Sequence, residues 1–254
     1  MSKHAYLDEL ELADPHGAPL APQRGFAAVA APPMVFTADA QQAVTAGSSL
    51  VEFDASVDPD LKKAITNALL LAQLAANKAA GSGTIETWYK KYTEVLGHIG
   101  WITGAMSFHV EKFEGDGMEV HKAIAKVLAA TLVPGAAAVS ITLAVLGGLE
   151  SMAADAPWLT IFDRASRHTH FNSFQMSYAS LEGGTPMLKL LCFAVDTNAT
   201  TTQILFFKFS DAGTRLRQYT GEVRANVDVL LQTRDKIASL VAADADDYLS
   251  NLSL

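Results

Sequence analysis

The sequence has little cysteine and little basic charge, and each shortage excludes a class of protein. Cys192 is the only cysteine in 254 residues, so an internal disulfide framework and a multi-cysteine metal site are both excluded. Lysine and arginine number 19 against 27 acidic residues, and the net charge of −8 opposes binding to a phosphate backbone, so nucleic acid is not an expected partner. His168 and His170 could ligate a metal ion, but the sequence pattern offers no third metal ligand beside them, so we predict no metal site.

The first residues also lack the apolar core of a secretion signal. Residues 1–4 are followed by acidic residues, which predicts cytoplasmic synthesis without a Sec signal and release, if any, by a non-classical route. Residues 1–36 mix alanine, proline and glycine without periodicity and are predicted to form an extended arm. No linker-like stretch divides the remainder, so we predict a single α+β domain over residues 37–254.

The pattern of apolar residues predicts helices packed on a small antiparallel sheet. Three strand-like runs at 171–181, 187–197 and 202–209 are separated by short connections, which favours a meander. A fourth strand is predicted near 101–111, where apolar and polar residues alternate. The predicted helices are a short one at 37–47, one from Asp58-Pro59 to about Ala80, one from Thr84, one from about Met118, and a long C-terminal helix over 211–243.

Residues 127–149 form the most apolar part of the chain and contain no charged residue. The Pro134-Gly135 break divides this tract into two halves, each too short to span a membrane as a helix. Three interpretations remain open for it: a central core helix, a helical hairpin that leaves the soluble form to enter a bilayer, or the wall of a lipid cavity.

The predicted meander also gives Cys192 a set of neighbours. If both connections are simple hairpins, Cys192 lies opposite Met176 and Phe207, on an apolar face that it shares with Tyr178, Leu190 and Ala194. A lone cysteine in such a place is either a small core residue or a site of modification. A nucleophilic thiolate would need a base from a helix, for which the candidates are His98, His109 and His121.

The apolar helical core, the meander, and the lone cysteine within Leu190-Leu191-Cys192-Phe193-Ala194 together resemble the Evf type of bacterial virulence factor. Members of that type have an α/β fold and hold a palmitoyl chain in a buried cavity, attached to a cysteine as a thioester. The resemblance covers about residues 37–243 and implies that Cys192 is the acylated residue. It implies no other cofactor.

The leading hypothesis is therefore a virulence-associated protein that carries a long-chain, palmitate-like acyl group on Cys192. Its partners would be a long-chain fatty acyl donor and a membrane surface, and it would act as a lipid-bearing effector or as a cysteine acyltransferase. The chain would occupy a slot lined by the following residues: Met176, Tyr178, Leu190, Ala194 and Phe207. The alternatives are an α-helical pore-forming toxin that inserts residues 127–149, and a non-catalytic interaction protein.

Overall fold

Two layers of helices enclose a mixed β-sheet in the computed structural model of this chain. The structure describes residues 2–13, 34–81, 83–103, 109–111, 119–131, 140–149, 156–168, 171–196, 204–206, 215–242 and 248–252. The helices are α1 (Lys3–Asp8), α2 (Pro59–Ala80), α3 (Ile85–His98), α4 (Val120–Thr131), α5 (Ser140–Gly148), α6 (Pro157–Ser166) and α7 (Val227–Val241). The strands are β1 (Gln42–Ala46), β2 (Ser49–Phe53), β3 (Trp101–Ile102), β4 (His109–Glu111), β5 (Asn172–Glu182), β6 (Thr185–Asp196), β7 (Arg215–Ala225) and β8 (Leu249–Asn251).

The strands form one sheet in the order β3-β7-β6-β5-β2-β1-β8, with β4 also paired to β7. Helices α2 and α3 cover one face, with α7 packed on α2, and helices α4, α5 and α6 cover the other face. The predicted α+β class, with helices on a sheet and a helix near the C-terminus, is confirmed. The sheet is larger than the predicted small antiparallel one, and its β2–β5 pair is parallel.

Side-chain caps mark the starts of α2, α3 and α7. The Asp58 carboxylate accepts from Leu61 N–H at 2.9 Å, and Pro59 follows at the first helical position, where no N–H is needed. Thr84 caps α3, and Asn226 caps α7 by accepting from Val229 N–H. The predicted start and end of α2 and the predicted start of α3 are confirmed.

The helix predicted over residues 37–47 is wrong, because the chain forms the β1–β2 hairpin there. Val44 and Thr45 are β-branched residues, which suit a strand better than a helix. Gly47 adopts φ of 57°, a conformation that lets the chain turn between Ala46 and Ser49. Strand β2 then extends the sheet by pairing with β5.

The third strand of the meander is β7 and not residues 202–209. Ile204–Phe206 forms a short 3-10 helix, and β7 occupies the first part of the segment predicted as a long helix over 211–243. Leu216, Tyr219 and Val223 have a spacing typical of a helix, but ten consecutive backbone pairs join β7 to β6. Gly221 also weakens a helix at this point, so helix α7 begins only after Asn226.

The strand predicted near 101–111 is confirmed where the structure describes it, because β3 and β4 both pair with β7; residues 104–108 lie outside the described residues.

Two other segments differ from their predictions. Lys3–Asp8 is helical within the segment predicted as extended, and its Leu7 is 1% exposed. Helix α6 is not predicted by the sequence pattern, and it begins at Pro157 without a side-chain cap. The Pro134-Gly135 break lies outside the described residues.

Candidate functional site

The turn between β5 and β6 sets which side of the sheet Cys192 faces. Gly183 and Gly184 have φ of 57° and 81°, and positive φ at both central residues fits a two-residue hairpin turn. Glu182 is then paired with Thr185, and Cys192 with Gln175. The predicted pairing of Cys192 with Met176 is wrong by one residue, and a shift of one residue moves side chains to the other face.

The residues predicted to line an acyl slot are therefore divided between the two faces. Leu190 and Ala194 lie on the same face as Cys192 and belong to the core beneath α2 and α3. Met176 and Tyr178 lie on the other face, beneath α4, α5 and α6. The predicted contact with Phe207 lies outside the described residues. Of the predicted slot residues that the structure describes, Leu190 and Ala194 share the face of Cys192, and Met176 and Tyr178 do not.

The Cys192 thiol is fully buried, with 0% of the residue exposed. Burial raises the pKa of the thiol well above its ordinary value, and a hydrogen bond with Tyr89 opposes that rise only in part. Across the sheet, Cys192 pairs with Tyr219 of β7. The thiol is therefore protonated at neutral pH and is a weak nucleophile in the closed structure.

A buried polar network joins the α2–α3 layer to the sheet near Cys192. The side-chain NH2 of Gln175 donates to the Tyr89 hydroxyl at 3.1 Å. The hydroxyls of Ser48 and Ser49 donate to the side-chain oxygen Oε1 of Gln175 at 3.3 and 2.9 Å. Gln73 of α2 donates to the Ser49 hydroxyl and accepts from Ser48 N–H. Fully buried hydrogen bonds of this kind hold two layers in one arrangement.

Two of the histidines considered as bases lie in contacts that do not involve Cys192. The His121 ring bonds to the Leu205 carbonyl at 2.9 Å, on the other side of the sheet. The His98 ring stacks on Tyr6 with centroids 3.7 Å apart. The side chain of His109 lies outside the described part of the structure.

Two other titratable groups, the buried Asp163 and the partly buried His168, have strongly shifted pKa values. Burial raises the pKa of the Asp163 carboxyl to about 7, although this carboxylate accepts a 2.9 Å hydrogen bond from Ile204 N–H. Burial lowers the pKa of His168 to about 4, and its Nε2 lies 2.8 Å from the Ser173 hydroxyl. His168 is therefore neutral at pH 7, and its ring stacks on Phe171.

Glu52 is a functional candidate that the sequence reasoning missed. It lies in β2, is 0% exposed, and shares the face of the sheet that α4, α5 and α6 cover. Its two carboxylate oxygens accept backbone hydrogen bonds from Ile141 at 3.3 Å and Thr142 at 3.0 Å, at the first turn of α5. The signal in the sequence is a single acidic residue inside the apolar strand 49–53.

Helix α5 is mostly apolar on both its exposed and its buried sides, with Thr142 as a buried polar residue. Val145 and Leu146 are buried against the sheet layer. Ala144 and Gly147 are exposed, and Ile141 and Leu143 are partly exposed. A helix that is apolar all round is usually buried on every side, in a protein core or in a membrane.

A search of the described residues for cavities, metal ligands and membrane-spanning helices adds no further feature at Cys192. A cavity of about 350 Å³ lies between α1, α2 and α3, and none of its lining residues belongs to the sheet. Within the described residues, no three His, Cys, Asp or Glu side chains are grouped as metal ligands. Over the same residues, no helix is both long enough and apolar enough to cross a membrane.

Comparisons with known proteins give weak structural likenesses and no family. No family model matches the chain, and no curated protein matches it. A solved structure named delta-endotoxin aligns with 84% of this chain and 96% of its own, at 15% identity and a TM-score of 0.40. The structure of the Evf virulence factor aligns with 87% of each chain, at 10% identity and a TM-score of 0.31. Both likenesses are weak, so the function has to be argued from the residues of this chain.

Proposed function

We propose that this protein is a membrane-permeabilising protein that uses α4 and α5 to enter a lipid bilayer. The observation that carries the proposal is the composition and exposure of α5. Its nine residues include no charged side chain; Ala144 and Gly147 are exposed, and Ile141 and Leu143 are partly exposed while they pack against the core of this layer. Transfer of an apolar surface from water into lipid is favourable, because it lowers the free energy of the system.

Helix α4 supplies a matching polar part for the membrane surface. It packs against α5 and carries Lys122, whose side chain is 51% exposed, and the exposed Lys126 one turn later. Lysines beside an apolar segment favour binding at a membrane surface, because their ammonium groups can lie among the lipid headgroups and stay hydrated. The two helices are about 18 and 14 Å long at 1.5 Å per residue, so the α4–α5 pair would enter one leaflet and disturb it.

Dye release from liposomes tests the proposal, with Ala144→Asp as the informative variant. Ala144 is exposed, so aspartate there should leave the folded protein intact, whereas a carboxylate placed in hydrocarbon costs about 2.5–3.5 kcal/mol. The matched control is Ala79→Asp, at an exposed alanine of α2. Wild type and Ala79→Asp should release dye, and Ala144→Asp should release much less. Equal release by all three proteins would contradict the role of α5.

Acylation of Cys192 is the second candidate, and the surroundings of the thiol support it in one respect. An apolar, water-free setting protects a thioester from hydrolysis, and Cys192 is fully buried beside Leu190 and Ala194. Because α2 and α3 cover the thiol, a long-chain acyl donor could reach it only when this layer separates from the sheet. The bound group would be a palmitate-like acyl chain.

Intact-mass spectrometry of the purified protein tests this second candidate. A palmitoyl thioester adds about 238 Da, and hydroxylamine removes it because thioesters react readily with nucleophiles. The Cys192→Ser variant should lack the added mass. An unmodified wild-type mass, or the same added mass on Cys192→Ser, would contradict acylation of Cys192.

A further inference from the structure

The contact between Glu52 and the start of α5 joins a buried charge to a helix end. A helix begins with backbone N–H groups that have no partner within the helix, and its N-terminus carries a partial positive charge. Both oxygens of Glu52 accept hydrogen bonds from this first turn, one from Ile141 and one from Thr142. A buried carboxylate is costly unless it is paired, so each partner depends on the other.

The position of Glu52 makes this contact a link between the sheet and the α4–α5 pair. Strand β2 lies between β1 and β5 in the sheet, so the backbone of Glu52 is held by paired strands on both sides. Its neighbour on β5, Tyr178, donates its own hydroxyl to Asp54 at 2.8 Å. Helix α5 also packs on this side of the sheet through apolar side chains, including those of Val145 and Leu146. Lipid tails could replace these apolar contacts. The hydrogen bonds to Glu52 are contacts that lipid tails cannot replace.

We propose that Glu52 is the latch that holds α5 on the sheet and limits the rate at which the α4–α5 pair is released to a membrane. This inference rests on the proposed membrane function for its consequence, whereas the latch itself is a property of the protein in solution. The Glu52→Gln substitution should leave the apolar contacts of α5 in place and replace the two carboxylate oxygens with one amide oxygen and one NH2 group, so that only one of the two backbone N–H groups keeps an acceptor. Helix α5 should then open more often without global unfolding.

Amide hydrogen exchange in solution tests the latch without any membrane. In Glu52→Gln, the amides of α5 should exchange roughly 10- to 100-fold faster than in wild type, as expected for loss of hydrogen bonds to a charged group. The amides of α2 should be unchanged. The matched control is Asp163→Asn, which alters another buried carboxylate of the same layer that bonds to Ile204 and not to α5. Unchanged exchange in α5 of folded Glu52→Gln would overturn the proposal.

A second variant keeps the test decisive if Glu52→Gln fails to fold. Ile141→Pro removes one of the two donors, and proline is tolerated in the first turn of a helix. It should also accelerate exchange in α5, and Ile141→Val should not. Normal α5 exchange in folded Ile141→Pro would count against the latch.

Dye release from liposomes then separates the latch from the proposed function. Faster release by Glu52→Gln than by wild type supports both. If exchange in α5 accelerates but neither protein releases dye, the latch stands and the membrane function is wrong. If wild type releases dye and Glu52→Gln releases it no faster, Glu52 does not limit release and the proposal is overturned.

Discussion

Ala194 lies two residues from Cys192 on β6, and both side chains are 0% exposed. Their surroundings decide whether the sheet leaves room for an acyl chain beside the sulfur. In a close-packed core, a larger side chain forces its neighbours to move and lowers the free energy of unfolding. In a lipid slot, it would occupy volume that is empty when no lipid is bound.

Ala194→Phe is predicted to lower the free energy of unfolding of the lipid-free protein by about 1–3 kcal/mol, because Ala194 is fully buried in the core beneath α2 and α3 and a larger side chain overpacks such a site. Chemical denaturation of wild type and variant measures the difference, with mass spectrometry confirming that neither carries lipid. A variant as stable as wild type would indicate an open slot beside Cys192.

Asp163 is predicted to make stability depend on pH. Its folded-state pKa of about 7 lies above the reference value of 3.8, so its stabilising contribution is complete below about pH 4 and is lost as the pH rises through 7. Asp163→Asn keeps an oxygen that can accept from Ile204 N–H but cannot ionise. Relative to this variant, wild type should lose about 2–4 kcal/mol of stability between pH 4 and pH 8. A relative gain over the same range would contradict the assignment.

The side of the sheet that Cys192 faces could have been predicted from the sequence, whereas the contact of Glu52 with the start of α5 could not. Recognising Gly183-Gly184 as a two-residue turn gives the observed pairing with Gln175 directly. Glu52 is visible only as a charge in an apolar strand. Its partners, Ile141 and Thr142, are 89 and 90 residues away in sequence, and no local pattern predicts that contact.

Among the elements, the starts of α2 and α3 were predictable from their caps, whereas strand β7 was not. Asp58-Pro59 and Thr84 satisfy helix ends through neighbouring residues, so local chemistry suffices. Strand β7 shows the opposite case, because its apolar spacing fits a helix and its pairing with β6 is a long-range contact. Tertiary pairing therefore overrides local periodicity in this segment.

The β5–β6 hairpin gives a prediction at this scale. Gly183 has φ of 57°, and a β-carbon added there would meet no atom of the described residues within 4 Å, so backbone conformation alone limits substitution. Gly183→Asn should be tolerated because asparagine adopts this conformation readily. Gly183→Val should lower the free energy of unfolding by about 1–2 kcal/mol more than Gly183→Asn. Equal stability of the two variants, measured by thermal or chemical denaturation, would contradict the turn geometry.

For the whole molecule, the two helical layers differ in how they are attached to the sheet. The α2–α3 layer is joined to it by the buried network around Gln175 and Tyr89. The contacts of the α4–α5 pair with its side of the molecule include apolar side chains, the hydrogen bonds from α5 to Glu52 and the hydrogen bond between His121 of α4 and the Leu205 carbonyl. The α+β class was predictable from the sequence, but the attachment of each layer depends on long-range contacts.

An environment-sensitive fluorophore at position 144 shows whether the outer surface of α5 enters lipid. The label is placed on Ala144→Cys in a Cys192→Ser background, and on Ala79→Cys in the same background as the control. On mixing with vesicles, the fluorophore at position 144 should brighten, shift to shorter wavelength and be quenched by spin-labelled lipid tails, because Ala144 moves from water into hydrocarbon. The fluorophore at position 79 should remain in water. An unchanged spectrum at position 144 in the presence of vesicles would contradict the account.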